Sequence, residues 1–433
     1  MKSATPKAPY AIIGNSVAAV GGVTGIREVD SDTPITLVAR EPHHTYSRPL
    51  ISYLLGGKVD EGRMPYRPSD FYDKNHVRPL LGVEVLRVDT DARRLEMSNG
   101  TSLAFDKLLI AVGGRPIVPP DMTGTDAQGV FTFTTWDDAR NIKAYVEKNA
   151  VREAVVVGGG LIGLKSVEAL VELGIRATVV ELADRILSIT FDRTASDLAT
   201  KSLRKAGVEV RCNNTVSEIK RQDGRVTGVV LRDGTEVPCS LVILAVGVVP
   251  DTRIVQGSAI QTDRGILVDD HLRTSVAGIY AAGDVAQAAD LLDGSKCPIP
   301  IFPNAYRQGL VAGHNMAGEE KTYEGGLAMN AVDICGLPTI SVGITTPTGD
   351  EYEVLSLLDE KAPAYKKIVL KHDRIVGAIF IGPIDRAGIV TGLIKQRVNV
   401  SGFKDVLLTE DFGLISLPTE YRKHVVSGTG IAI

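Results

Sequence analysis

Apolar and polar positions along this chain follow two periods, one of strands and one of helices. Tyr10-Ala-Ile-Ile13 is an unbroken apolar run too short for a helix, and reads as a buried strand. Gly14-Asn-Ser16-Val-Ala-Ala19 turns the chain into a helical stretch ending near Glu28, and Pro34-Ile-Thr-Leu-Val38 is the next strand. A β-α-β unit of this size is the smallest half of a doubly wound nucleotide-binding sheet. The pattern then returns. Ala154-Val-Val-Val157 is a strand, Gly158-Gly-Gly160-Leu-Ile-Gly163 a turn, Leu164 to Leu173 a helix closed by Gly174, and Ala177-Thr-Val-Val180 a strand. Each unit is followed by a hairpin pattern, Glu84–Asp89 with Arg94–Met97 and Glu218–Lys220 with Val226–Leu231. An apolar strand ending in glycine comes next in both, Leu108–Gly113 and Leu241–Gly247. From about Tyr323 the repeat stops. Strand-like runs Tyr365–Leu370 and Ile375–Ile381 precede one amphipathic helix near Ala387–Arg397, which predicts a smaller α+β domain.

Composition narrows this picture in a few places. A length of 433 residues suggests about three domains. With 44% hydrophobic and 23% charged residues, the chain is too apolar to be disordered. A net charge of −4 offers no basic excess for nucleic acid. Met1 to Pro9 lacks the apolar core of a signal peptide, and runs such as Leu241–Val249 are too short to span a bilayer, so a cytoplasmic protein is expected. The four cysteines, Cys212, Cys239, Cys297 and Cys335, show no CxxC pair and no metal-ligand spacing. No metal site is expected. His43 and His44 are adjacent and point apart, His372 reads as part of a hairpin turn, and His424 as a solvated tail residue.

The most specific chemistry lies in Gly158-x-Gly160-x-x-Gly163. The first glycine permits a tight turn, the second lets backbone approach a pyrophosphate, and the third packs helix on strand. Glu181 ends the following strand, 18 residues past Gly163. A carboxylate there suits a ribose diol and repels a 2′-phosphate, which favours NAD(H) over NADP(H). Arg185 is near enough to blur that preference. The N-terminal motif, Gly14-x-Ser16-x-x-Ala19, keeps only the first glycine, and its acid is Glu41 after Arg40. Alone it is equally an ordinary βαβ turn. Ile279-Tyr-Ala-Ala-Gly283-Asp284 is a strand running into Gly-Asp before an expected helical stretch. That aspartate can accept from a polyol hydroxyl or simply cap a helix. Ala111-Val-Gly113 and Ala245-Val-Gly247 are matched endings, with Pro116 and Pro250 three residues on.

This set resembles the FAD/NAD(P)-binding pyridine nucleotide–disulfide oxidoreductase superfamily, and the likeness runs along the whole chain in order. The resemblance implies a glutathione-reductase-like α/β fold with two dinucleotide-binding domains and a smaller C-terminal α+β domain. It implies FAD-binding segments at 1–118 and 247–322, an NAD-binding domain at 119–246 and the C-terminal domain at 323–433. FAD would lie on Gly14, Asn15, Ser16, Ala18, Ala19 and Glu41, on Arg48, Pro49 and Val85, on Ala111, Val112 and Gly113, and on Gly283 and Asp284. NADH would lie on Gly158, Gly160, Leu161, Ile162, Gly163 and Glu181, with Val246 and Gly247. Tyr46-Ser-Arg48-Pro49-Leu50-Ile-Ser52 is similar to the rubredoxin reductase and nitrite reductase flavoprotein branch, where Arg-Pro opens a helix beside the flavin ring. Arg48 would offset charge on reduced flavin or pyrophosphate, or else stand as a surface arginine.

Two departures shape the functional expectation. Disulfide reductases of this superfamily carry cysteine in the helix that Tyr46–Gly57 would form, and here that segment has none. Thiol relay chemistry is therefore disfavoured. Lys165 stands where the family usually has glutamate. It would stabilise anionic reduced flavin or position the nicotinamide, or simply pair with a nearby carboxylate. The expected activity is hydride exchange between NAD(H) and FAD, with electrons passing to or from a small iron–sulfur carrier of ferredoxin or rubredoxin type. Gly382-Pro-Ile-Asp-Arg386 and Leu417-Pro-Thr-Glu-Tyr-Arg422 are similar to flavoproteins associated with carbon monoxide dehydrogenase, which implies NAD+ reduction by such a carrier. Lys366, Lys367, Lys371, Arg374, Lys395 and Arg397 form a locally basic tail, a solvated face or a docking face for an acidic carrier. The alternatives are an NADH oxidase producing peroxide and an NADH-sensing interaction module. Monomer and homodimer are both compatible with the sequence.

Overall fold

The computed structural model describes residues 7–359, 361–410, 412–413 and 416–417, which divide into two compact units. The first comprises the described part of residues 1–180 with 214–327, the second 181–213 with the described part of 328–433.

The first unit holds two parallel sheets of the same design. In one, β1 (Lys7–Ile13) lies at the centre, with β2 (Ile35–Ala39) and β3 (Val77–Leu81) on one side. On the other side come β6 (Ser102–Ile110) and, beyond it, the short β18 (Ile279–Ala281). All of these pairings are parallel. The N-terminal part of β6 also closes an antiparallel meander with β4 (Val85–Asp89) and β5 (Arg94–Met97). In the second sheet β9 (Glu153–Val157) takes the central place. It is flanked by β10 (Arg176–Val180) on one side and by β15 (Leu241–Leu244) and β8 (Val130–Thr132) on the other. The matching meander is a separate sheet of β12 (Val216–Gln222), β13 (Arg225–Leu231) and β14 (Glu236–Pro238). One unbroken strand in the first half is thus two strands in the second. Pro238 falls at the break, where it cannot donate a ladder hydrogen bond. The strands that leave the sheets, β7 (Gly114–Pro116) and β16 (Val248–Pro250), pair antiparallel as a ribbon.

After each central strand the chain enters a helix, α1 (Val17–Val29) and α5 (Leu161–Glu172). α1 is covered by α7 (Phe302–Ala317), and the two backbones touch. A Cβ on Gly21 or Gly25 would overlap the carbonyl oxygen of Tyr306 or Leu310, and one on Gly309 or Gly313 that of Ala18 or Gly22. One element differs from expectation. The segment after Asp284 is a short strand, β19 (Ala286–Ala289), rather than a helix, and it pairs with β17 (Ile266–Leu267) and β20 (Lys296–Cys297). α7 begins at Phe302, and Pro303 sits in its first turn, where no intrahelical N–H is required. Two further helices are α3 (Phe71–Lys74) and α4 (Trp136–Asn149), the latter burying Trp136, Ala139 and Ile142 along one face.

The second unit contains a five-stranded antiparallel sheet in the order β21 (Met329–Ile334), β22 (Leu337–Gly343), β25 (Arg374–Ile381), β24 (Ala364–Lys371), β23 (Tyr352–Asp359). α8 (Ala387–Lys395) follows the sheet, as expected. His372 and Asp373 form the two-residue turn between β24 and β25, both with positive φ of 50° and 54°. The same unit holds α6 (Arg193–Lys205) and β11 (Glu209–Arg211). Asp192 caps α6 and accepts from Tyr365 Oη at 2.8 Å and Lys367 Nζ at 2.9 Å. Lys367, read as part of a basic face, is therefore 7% exposed and paired, and Lys371 is paired with Glu351. His424 and residues 418–422 lie outside the described residues. Among the described residues no helix is long and apolar enough to cross a membrane.

Candidate functional site

Both glycine turns lie at the carboxyl end of a central strand, where neighbouring strands diverge and doubly wound sheets bind ligands. In the first, Gly14 N–H donates to Val38 O at 2.8 Å, and Ala111 N–H to Ile13 O at 2.8 Å. Gly14 has φ 112°, and a Cβ there would overlap the Ala111 carbonyl. Only glycine satisfies both conditions. Ser16 stands at the N-cap of α1 in extended conformation with no side-chain cap bond, and no acidic residue occupies the first turn. In the second, Gly158 N–H donates to Val180 O at 2.8 Å and Ala245 N–H to Val157 O at 2.8 Å. Gly158 has φ 110°, and its missing Cβ leaves room for the Ala245 carbonyl. Gly160 caps α5, and a Cβ added there would meet no protein atom within 4 Å. Leu161 and Ile162, both half-buried, open that helix. Gly163 is packed so closely that a Cβ would overlap the Gly158 carbonyl oxygen.

Several predicted residues converge on the first turn. Gly283 N–H donates to Gln308 Oε1 at 2.7 Å, and a Cβ there would come within 3.0 Å of the Ala18 Cβ. Burial pushes the Asp284 carboxyl above its ordinary range, and the nearby Arg48 charge opposes that rise. Pro49 occupies the first turn of a 3-10 segment, Arg48–Leu50, leading into α2 (Ile51–Leu55). Arg48 Nη2 donates to Glu41 Oε1 at 2.6 Å and Nη1 to Thr134 O at 2.7 Å. Tyr46 Oη donates to the other Glu41 oxygen at 2.6 Å. Asn15 is tied into the protein at both ends, to His43 O at 3.0 Å and Tyr72 Oη at 2.9 Å. Ala19 is fully buried, and the Val85 side chain packs in the core of the first sheet. Ala111 is buried, Val112 is half-buried, and Gly113 O accepts from Asp251 N at 3.0 Å. Gly247, beside the half-buried Val246, accepts on its carbonyl from Ile117 N at 3.0 Å. Glu181 follows β10 directly, and its carboxylate accepts from Ala183 N at 2.7 Å.

Lys165 pairs with Glu168, one turn along α5, and its Nζ lies 5.0 Å from the centre of the Tyr53 ring on α2. His43 and His44 do not converge. His43 Nε2 meets Asp137 Oδ1 at 2.8 Å, whereas His44 Nδ1 lies 3.1 Å from Thr45 O. Burial pushes the Cys239 thiol up to about 12, and Cys212 and Cys297 in the same direction. None of these three is an activated thiolate.

Sequence reasoning included Tyr46 only as the first residue of its segment, gave it no role, and missed the N-terminus of α4 as part of this region. Trp136 stacks on His43 with centroids 4.7 Å apart, and lies edge-on to Tyr46 at 5.4 Å. A Thr135–Asp138 capping box was the available signal for that helix start, but nothing local pairs it with a segment 90 residues away. Three buried polar atoms here have no hydrogen-bond partner in the protein, His44 Nε2, Thr45 Oγ1 and Trp136 Nε1. Such atoms are costly to bury unless a bound polar group or water meets them. Together with the open space at Gly160, they fit elongated polar ligands at the two turns.

The sequence matches the family described as pyridine nucleotide-disulphide oxidoreductase over residues 8–309, and the rubredoxin NAD+ reductase C-terminal domain over 329–398. The chain belongs to the pyridine nucleotide-disulphide oxidoreductase family. Like its relatives it is an NAD(P)H-dependent flavin oxidoreductase, from a family that uses FAD and NAD(P)H. It is 33% identical over 409 residues to the NADH-dependent phenylglyoxylate dehydrogenase subunit epsilon of Aromatoleum evansii, covering 93% of this chain and 94% of that one. It is 29% identical over 310 residues to the rubredoxin-NAD(+) reductase of Pseudomonas putida, covering 71% and 79%. Among solved structures it resembles the ferredoxin reductase for the CYP199A2 system from Rhodopseudomonas palustris, with TM-score 0.79, 25% identity, and coverage of 86% and 91%. This oxidoreductase departs from the family's name in one respect, since no cysteine precedes Cys212.

Proposed function

We propose that this oxidoreductase exchanges electrons between NAD(H) and a small iron–sulfur carrier of ferredoxin or rubredoxin type, with FAD in the first cradle and NADH in the second. The observation that carries the reading is the pair of equivalent turns, Gly14 and Gly158, joined to an α2 region that offers no thiol between residues 46 and 57. When bound, FAD supplies hydride exchange at N5 with the nicotinamide C4 and release of electrons singly. The chain's own part is holding and orienting, and no proton-transfer residue is required. Backbone N–H groups at the starts of α1 and α5 take the pyrophosphates. Glu41 and Glu181 take ribose hydroxyls, and the Glu181 carboxylate favours NADH over its phosphorylated form. Asp284 accepts from the ribityl chain, and Arg48 supplies positive charge nearby.

Lys165 is the proposed cationic neighbour of the reacting rings, in competition with its Glu168 partner. Lys165→Glu should slow hydride transfer about tenfold and make the flavin potential more negative. An unchanged rate and potential would reduce Lys165 to a helix ion pair. The relative named as subunit epsilon of an NADH-dependent phenylglyoxylate dehydrogenase supports a partner that is itself a dehydrogenase, for which the sequence resemblance suggests carbon monoxide dehydrogenase. Turnover with NADH against ferredoxin, rubredoxin and quinone under anaerobic conditions, and against dioxygen in a separate aerated assay, tests the acceptor. An iron–sulfur protein is expected to be fastest, and quinone or dioxygen in that place would overturn the reading.

A further inference from the structure

We propose that Tyr46 is a positioning residue that holds Glu41 in its ribose-binding orientation, and that it does so by leaning on the N-terminus of α4. This rests on the first cradle being the FAD site. Tyr46 is 6% exposed, and its hydroxyl has two partners at once. It donates to Glu41 Oε2 at 2.6 Å and accepts from the Trp136 backbone N–H at 3.1 Å.

That N–H belongs to the first turn of a 14-residue helix, where backbone donors lack intrahelical acceptors and the helix dipole is positive. The capping box already serves its neighbours. Thr135 Oγ1 accepts from Asp138 N at 3.0 Å, and Asp138 Oδ2 from Thr134 N at 2.7 Å. The Trp136 N–H is left to the phenol. The helix end therefore polarises the Tyr46 O–H toward the carboxylate, and hydrogen bonds in such a chain reinforce one another. Burial is the main cause that raises the Tyr46 pKa, so the group remains a neutral donor.

Arg48 completes the clamp. It grips the second Glu41 oxygen and the Thr134 carbonyl, and its guanidinium lies 5.5 Å over the Tyr46 ring. With one donor on each oxygen, the carboxylate cannot rotate. It still keeps about two of its four acceptor sites for a diol. Grip on the adenosine half of FAD is thereby linked to the seating of α4, a helix outside both glycine turns.

The test is FAD and FMN affinity of the flavin-free protein, read by flavin fluorescence. FMN lacks the adenosine ribose. Tyr46→Phe keeps the ring and loses only the hydroxyl, so Kd for FAD should rise about tenfold while that for FMN stays constant. In a Glu41→Ala background the same change should add nothing. Equal losses for FAD and FMN, no loss, or additive losses would overturn the proposal. Should Tyr46→Phe fail to fold, hydrogen exchange in the unaltered chain decides. FAD should slow exchange at the Trp136 amide and FMN should not, and equal protection by both would overturn it. Failure of the unaltered protein to bind FAD at all would instead reject the FAD reading of the cradle.

Discussion

The two cradles of this oxidoreductase share a backbone and differ in almost every side chain around it. Gly14 and Gly158 have φ of 112° and 110°, each donates to the end of the adjacent strand at 2.8 Å, and each abuts the carbonyl of an alanine just past the end of the next strand. Two residues on, one cradle has Ser16 and the other Gly160; at the third position one has Ala19 and the other Gly163. The first glycine is dictated by the protein alone, since strand and turn geometry leave no room for a Cβ. The third is dictated by local packing, which tolerates Ala19 in one half and excludes a Cβ at Gly163 in the other. The second is dictated by neither. Nothing in the protein presses on Gly160, so under the proposed function its small size serves the ligand.

That contrast can be broken by substitution. Gly14→Ala and Gly158→Ala should be the most damaging, each costing about 3 kcal/mol from overlap and unfavourable φ. Gly14→Ala should yield protein without bound flavin. Gly158→Ala should remain yellow but lose NADH saturation. Absorbance spectra and NADH titrations read both, and a yellow Gly14→Ala would contradict the assignment of the first cradle. Gly160→Ala should leave thermal unfolding of the flavin-free protein within about 0.5 kcal/mol of the parent. The same change should raise KM for NADH about tenfold or more, while Ser16→Ala alters FAD affinity far less. Ala19→Gly, which rebuilds the motif's third glycine, should cost about 1 kcal/mol in helix propensity and improve no binding.

The smallest effect concerns Asp284. Its pKa is raised in the folded chain, mainly by burial. Folded protein therefore binds the proton more tightly than unfolded chain, and stability is lost as pH rises through the raised value. Asp284→Asn should make the flavin-free protein more stable than the parent at neutral pH. The difference should vanish below the ordinary aspartate range. Thermal unfolding against pH checks the sign, while the variant should bind FAD more weakly.

What the sequence made legible followed from local pattern. The βαβ units, both hairpins and the His372–Asp373 turn all rest on residues within one element or its immediate neighbours. The strand after Asp284 was misread because an aspartate after glycine is a common helix cap, and here burial in a small sheet prevails. The Tyr46–Trp136 contact was illegible for another reason. Its two halves lie 90 residues apart, and neither carries a pattern that names the other. Arg48 stands out in its own segment, but its pairing with Glu41 emerges only once β2 has delivered that carboxylate beside it.

The glycine-lined contact between α1 and α7 has a consequence for how the chain is made. Three glycines within Val17–Val29 weaken that helix on its own, because glycine is a poor helix former. Its covering partner, Phe302–Ala317, emerges from the ribosome about two thirds of this sequence later. During translation the first turn therefore stands beside an incomplete support. α1 is thus made well before α7 and is secured only after it, which makes the growing polypeptide dependent on slow, long-range closure.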